Sequence, residues 1–500
     1  MYPIDFFLRA AARYRDRIAL DTPQGAWTYE RLRAESQALA AALQALDPTP
    51  QSRVAICAGN TAQHVVALLA VIASGKVWVP LNYRSTAPEI TRILEATEPS
   101  IVLTDGTGDA LVAAGQATHI HLDGVGPHTL AGLLQAYAGC DPVRCEPGTD
   151  ATQAIKFTGG TTGLPKGVMQ PYRAWTAVIV NQIQAWQLTR EDRYVVAAPV
   201  THGTSTYLLP VLAQGGTHVF LEESSPTTIT AAFRERGGTL SFMPPTLIYM
   251  IMAQPGVSRA DFPHLRNLIY GGAPMPVEKF EQVREFFGPV VGATYGQTES
   301  PQIVTAITPA DFADPANLGS VGSATWFSAF AIMDRDGRIL PAGQAGEVVV
   351  RGDLVMTGYW RLPEKTAETI VDGWLHTGDV GVVDERGYLT IKDRLRDVII
   401  TGGFNVYPID VENALAQHPA VYECSVFGIP DDKWGEAVQA AVQFHGGASA
   451  EPQDLMVFVR DKLGPVHTPK RIHIFDSLPR SSVGKVLKNV VRDSVIKEIA

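Results

Sequence analysis

Short apolar runs alternate with helical segments through the first three hundred residues, and this alternation constrains the fold more than any other feature. RVAIC at Arg53–Cys57 and IVLT at Ile101–Thr104 read as strands. So do 76–80, 194–198, 240–243, 268–270 and 290–295. Between them, helical spacing predicts helices over 27–46 (with Thr28 as N-cap), 61–74, 88–96, 172–186, 228–236 and 277–287. Strands separated by helices predict an α/β layer built on parallel sheet. Residues 124–149, richer in Gly and Pro, read as a connecting region. From about Ala331 the texture changes to short strands and tight turns, with hairpin signals at Asp336-Gly337 and Arg386-Gly387. A small β-rich subdomain is expected there. The last hundred residues return to α+β, with helices over 408–416 and 452–462. At 500 residues the chain exceeds one ordinary core, so at least two domains are expected.

Composition removes several function classes. The net charge is −10, against the basic face that nucleic-acid phosphates require. The four cysteines, Cys57, Cys140, Cys145 and Cys424, are scattered with no CxxC. They predict a reduced, cytoplasmic protein without a zinc site or disulfide framework. The N-terminus, MYPIDFFLRAAARYRDR, has no apolar signal core. No stretch approaches the roughly 20 apolar residues that a membrane span needs. Whether the chain acts as a monomer or a homodimer is left open.

The stretch Phe157–Met169, FTGGTTGLPKGVM, follows a short apolar run at Ala154–Phe157. Its glycines let backbone N–H groups approach a ligand, and its hydroxyls and lysine suit a polyphosphate. It is not a Walker A loop, because Pro165 precedes Lys166 and Gly167 follows it. Taken alone it reads equally as a flexible turn. Further stretches follow in order: PVTHG at Pro199–Gly203, YGGAPMP at Tyr270–Pro276 and YGQTE at Tyr295–Glu299. GWLHTGD at Gly373–Asp379, KDRLRD at Lys392–Asp397 and SSVGK at Ser481–Lys485 complete the set. Two of them lie just past predicted strands, where open α/β sheets place ligands. Singly, each has a bland reading: a structural histidine, a strand-to-helix turn, a capping aspartate, a solvated terminal lysine.

Together, in this order and over nearly the whole chain, these motifs resemble the acyl-adenylate-forming superfamily, which includes acyl-CoA synthetases, peptide-synthetase adenylation domains and firefly-type luciferases. The resemblance is nearest to fatty-acid and aryl-CoA ligases. It implies a large N-terminal domain, 1–395, of two α/β sheet subdomains plus a β-rich subdomain. A small mobile α+β domain, 396–500, follows a hinge near Arg396. It implies that Thr158, Gly160, Thr161, Thr162 and Lys166 hold ATP phosphates, with Gly159 standing where the family usually has Ser. Gly271, Gly272 and Ala273 would line the adenine, with Tyr295 on its face, and Gly296 would also bind the cofactor. Asp379 and Arg394 would bind ribose, Thr298 the α-phosphate and Glu299 Mg²⁺. His202 would stand at the mouth of the carboxylate pocket, and Lys485 would be the catalytic lysine. Arg84, Gly403 and Trp434 would serve coenzyme A.

The implied reaction is ATP-dependent formation of an acyl-AMP from a carboxylic acid, then transfer to the thiol of CoA after rotation of the C-terminal domain. The first step joins two anions, so cations must offset their repulsion. The alternative is a stand-alone adenylation enzyme that loads an acyl or amino acid onto a carrier protein. Thr201–Pro210 contains no acid to hold an α-amino group, which counts against an amino-acid substrate. The acyl pocket, inferred at Gly203, Thr204, Thr294, Gly296, Pro301 and Gln302, reads as roomy and largely neutral. It suits a medium- or long-chain fatty acid or an aromatic acid.

Overall fold

The computed structural model describes residues 1–113, 115–158, 165–431, 433–480 and 486–499. Two large sheets carry the first part of the chain. The seven-stranded sheet runs Gly358–Tyr359, Lys166–Pro171, Thr152–Thr158, Val77–Leu81, Arg53–Cys57, Ile101–Thr104, Thr118–His121. The nine-stranded sheet centres on Asn267–Tyr270, Leu240–Met243 and Arg193–Val195, all parallel. The parallel expectation therefore holds at the sheet centres and at the Thr118–His121 edge, whereas the other three sheet edges are antiparallel. Thr152–Thr158 pairs antiparallel with Lys166–Pro171, and Val291–Tyr295 with Thr305–Ile307.

Helices lie between these sheets. Ala62–Ala73 is apolar on every side and almost every residue in it is buried, as a helix covered on all faces must be. With Tyr172–Trp186 and Ser205–Ala213 it joins Val54, Ile56 and Trp78 of one sheet to Tyr194, Leu240 and Ile269 of the other in a single core. Thr28 caps Tyr29–Leu46 by accepting from the Arg31 N–H, as expected. Trp27 itself belongs to a strand, Gly25–Thr28, because Thr28 holds the extended cap conformation and the helix starts at Tyr29. The expected connector at 124–149 contains a helix, Leu130–Ala136, capped by Thr129 and anchored by Leu130 and Leu133.

The β-rich part begins slightly earlier than expected, at Ser328–Met333. That strand pairs with Gly346–Gly352, which pairs with Trp374–Val383, and Leu389–Arg394 pairs with the last of these. Both hairpin signals are turns. Asp334 and Asp384 each accept two backbone N–H groups across them, and Gly337 and Gly387 take positive φ. Past Asp397 a separate sheet holds Ile399–Thr401, Phe404–Val406, Val421–Asp431, Gly435–Phe444 and Arg471–Ile474. Helices Pro408–Ala416 and Pro452–Leu463 share its core. No helix among the described residues is long and apolar enough to cross a membrane.

Candidate active site

Thr158 and Lys166, on either side of the Gly-rich stretch, stand directly opposed on paired antiparallel strands. Gly159, Gly160, Thr161 and Thr162 lie outside the described residues, and so does Lys485. The Lys166 ammonium donates to the Tyr359 hydroxyl at 3.0 Å, and that hydroxyl donates to Glu299 Oε1 at 2.8 Å. Lys166 also lies over the Tyr359 ring. Burial pushes the Lys166 pKa down, while the Glu299 charge opposes that shift. Tyr359 escaped the sequence reading, since a Tyr in TGYWRLP carries no phosphate or metal signal of its own.

A second cluster gathers on Asp379, which is 4% exposed. Its Oδ2 accepts from the Tyr295 hydroxyl at 2.7 Å and from Gln297 Nε2 at 2.6 Å. Its Oδ1 pairs with Arg394 Nε at 2.7 Å. Burial, then the Asp379 charge, raise the Tyr295 pKa far above the phenol range. One segment, Tyr295–Glu299, therefore touches both clusters. It can do so because Gly296 lets the chain return: a Cβ there would meet the Gln302 backbone at 2.6 Å. Thr298 follows, its carbonyl accepting from Gln170 Nε2.

Gly271 and Gly272 follow the strand Asn267–Tyr270. A Cβ on Gly271 would strike the Thr294 carbonyl at 2.8 Å, whereas Gly272 needs its positive φ. Ala273 follows in the same turn.

His202 is an exposed residue. Desolvation of its ring, then the charges of Lys156 and Arg84, lower its pKa to about 4. Its Nδ1 contacts Thr201 Oγ1 at 2.9 Å. At Gly203, one of the expected acyl-pocket positions, the Phe242 ring would lie 2.5 Å from a Cβ. The run at 154–157 includes Lys156, whose side chain is buried against Trp78 and Trp175. A charge within an otherwise apolar strand was the signal available in the sequence.

Past Asp397, Trp434 packs on the Gly402–Gly403 turn, with its carbonyl accepting from the Gly402 N–H at 2.7 Å. Lys433 and Lys470 flank its ring. Arg84 is not part of this group; it stacks on Tyr83 within electrostatic reach of His202. Arg396 sits in a short exposed turn, 395–397, whose only described ion pair is Arg396 with Asp397 at 3.6 Å.

Glu299 suits a hard cation. Among the described residues its carboxylate accepts only from Tyr359, which leaves oxygen lone pairs for a ligand.

Comparison with known proteins identifies the family. The family model for AMP-binding enzyme matches residues 7–360, and that for its C-terminal domain matches residues 410–485. The chain belongs to the AMP-binding enzyme family. A feruloyl-CoA synthase from an Amycolatopsis species is 35% identical over 472 residues, spanning 93% of this chain and 94% of that protein. A fatty acid–[acyl-carrier-protein] ligase, ScoC of Streptomyces coeruleorubidus, is 33% identical over 93% of this chain and 91% of its own. Among solved structures, the amide bond synthetase McbA of Marinactinospora thermotolerans superposes with a TM-score of 0.90 at 32% identity, covering 98% of this chain and 99% of that one. The chain is thus an adenylate-forming enzyme with the two-sheet architecture of its class.

Proposed function

We propose that this chain is an ATP-dependent acid–CoA ligase. It joins a carboxylic acid, medium- to long-chain or aromatic, to AMP with release of pyrophosphate, and then passes the acyl group to the thiol of CoA. The observation that carries this reading is the segment Tyr295–Glu299, which links the Asp379 cluster to the Lys166–Tyr359–Glu299 chain. A nucleotide whose sugar faces Asp379 and whose phosphates face Lys166 would have its α-phosphate beside Thr298. Attack by a carboxylate there needs positioning and charge stabilisation, with no covalent enzyme intermediate. Lys166 and the loop at 158–162 hold the β- and γ-phosphates, and Lys485 meets the charge that builds between carboxylate and phosphate. Glu299 would hold Mg²⁺, which when bound offsets phosphate charge.

Neutral His202 stands at the carboxylate entrance without adding a competing charge. Thiol transfer assigns 1–395 and 396–500 as separate bodies turning about Arg396. The Trp434 ring on the Gly402–Gly403 turn, flanked by Lys433 and Lys470, fits a purine and its phosphates. Arg84 would face the same cofactor only after rotation. The reading includes a cytoplasmic setting, consistent with the free cysteines.

The relation to a carrier-protein ligase favours one second reading, in which a carrier's pantetheine thiol replaces CoA. Pyrophosphate release with ATP and Mg²⁺ across fatty, aromatic and amino acids tests both. Release with one acid class, stimulated by CoA, is the expected result. Stimulation by a holo-carrier protein alone selects the second reading, and no release with any acid overturns both.

A further inference from the structure

The segment THIH at Thr118–His121 has no part in the adenylation chemistry. It is the edge strand of the seven-stranded sheet, four strands from Thr152–Thr158. At about 4.8 Å per strand, that is roughly 19 Å from the strand that leads into the Gly-rich stretch. Residues two apart on a strand share a face, so His119 and His121 stand side by side. Their rings stack with centroids 4.5 Å apart. Asp109 faces both, with Oδ1 3.7 Å from His119 Nε2 and Oδ2 3.3 Å from His121 Nδ1. One ligand atom from each of the three residues lies within 4.8 Å of the other two. Ligand atoms of four-coordinate zinc, with bonds of about 2.0–2.1 Å, stand about 3.3–3.4 Å apart. The two distances from Asp109 are close to that edge, and a small turn of the imidazoles would bring all three groups to one ion.

The turn that carries Asp109 is fixed in place. Asp105 accepts from the Thr107 and Gly108 N–H groups at 3.0 and 3.1 Å. Asp123, just past the edge strand, accepts from the Gly106 N–H at 2.9 Å. Gly108 lies so close to the Cys57 carbonyl that a Cβ would overlap it. Behind the three side chains, the Thr104 hydroxyl donates to Asp109, and its oxygen lies 2.6 Å from His119 Nε2. Groups placed in this way orient metal ligands. Among the described residues no Lys or Arg pairs with Asp109. All three side chains are partly exposed, so water can complete a coordination shell.

We propose that Asp109, His119 and His121 bind one divalent transition-metal ion of the zinc class, which ties the edge strand Thr118–His121 to the turn that follows Ile101–Thr104. Two imidazoles and a carboxylate favour such an ion over Mg²⁺ or Ca²⁺, which take oxygen ligands. Binding displaces any proton on the ligating nitrogens. The site is separate from the Mg²⁺ role given to Glu299 and does not depend on the ligase reading. The expectation of no zinc site rested on the cysteines, which this ligand set does not use.

The test is calorimetric titration of the untagged, metal-stripped full chain with Zn²⁺ in a buffer that holds millimolar Mg²⁺. Visible absorption of bound Co²⁺ is the second probe. The expected result is one Zn²⁺ per chain with a dissociation constant of about 10 μM or tighter, and a Co²⁺ band that Zn²⁺ removes. The double variant His119→Asn, His121→Asn should weaken binding about tenfold or more and lose the Co²⁺ band. Asp109→Asn keeps the side-chain shape and should weaken binding to a similar extent. His128→Asn, at an exposed residue nearby in the chain, should bind as the wild type does. Should the double variant fail to melt cooperatively, Asp109→Asn decides the question. Wild-type binding weaker than about 10 μM overturns the inference. So does equal binding by the wild type and Asp109→Asn, or loss of the site in His128→Asn. A chain that releases no pyrophosphate with any acid would still bind the ion, so this inference and the ligase reading fail separately.

Discussion

Asp379 and Arg394 face each other on adjacent antiparallel strands and join in a 2.7 Å ion pair, with Arg394 the last residue of its strand. A carboxylate offers about four lone-pair sites. Tyr295, Gln297 and Arg394 take three of those on Asp379. A ribose diol needs two, so its arrival has to displace one protein donor. Arg394 is the half-exposed partner and stands two residues from Arg396. Nucleotide binding therefore reaches the end of this strand, where the proposed hinge begins.

Asp379→Asn should keep the fold and cut acid-dependent ATP–pyrophosphate exchange at least tenfold, through a raised KM for ATP. Asp379→Ala should also cost about 2 kcal/mol of stability, because it strands the buried donors of Tyr295 and Gln297. Urea melts and exchange kinetics measure both effects. Wild-type exchange in Asp379→Asn would remove this residue from the nucleotide site.

Tyr359→Phe deletes only the hydroxyl between Lys166 and Glu299. Surroundings that pack the ring are kept, so the melting temperature should move by no more than about 2 °C. The Mg²⁺ concentration for half-maximal pyrophosphate release should rise about fivefold or more, since Glu299 loses the donor that orients it. An unchanged Mg²⁺ titration would make Tyr359 a packing residue only.

Much of this was legible in the sequence, and the rest was not for physical reasons. Arg53–Cys57, Tyr172–Trp186 and Val277–Phe287 have the predicted bounds because their apolar periodicity is strong and their ends are marked. The antiparallel edge strands were missed, since periodicity reports burial and not strand direction. Gly271 and Gly296 read from the resemblance as ligand-lining. In the structure each also answers a close neighbour, Thr294 or Gln302, which no local pattern encodes. Tyr359 and Lys156 gain their meaning from partners 60 and 49 residues away.

His202 should stay neutral through the working range. Its folded pKa, about 4, lies below the ordinary 6.5. The neutral ring therefore contributes stability that is fully present above about 6.5 and is lost as pH falls through about 4. Its Cε1 proton resonance should not titrate between pH 8 and about pH 5. Lys156→Met removes one of the repelling cations and should move the midpoint upward. A His202 midpoint near 6.5 in the wild type would contradict the desolvation and charge pattern described above.

The hinge prediction follows from what crosses Arg396. Lys488 contacts Asp393 at 3.8 Å and Glu412 at 2.9 Å, and Lys392 contacts Asp410 at 3.3 Å. Burial pushes Asp393 up to about 6, with Lys488 opposing that shift. Any large rotation of the C-terminal part must break the Asp393–Lys488 and Lys392–Asp410 contacts while the exposed backbone at 395–397 turns. Arg396→Pro fixes φ near −65° and restricts Leu395 before it. Formation of acyl-AMP, measured as pyrophosphate release in a single turnover, should stay within about twofold of wild type. Thioester formation from added acyl-AMP and CoA should fall at least tenfold. Lys485→Ala should give the opposite pattern, losing the first half-reaction at least a hundredfold and keeping the second. Equal loss of both half-reactions in either variant would mean that one arrangement of the chain serves both steps, and the assignment of Arg396 as a hinge would fall.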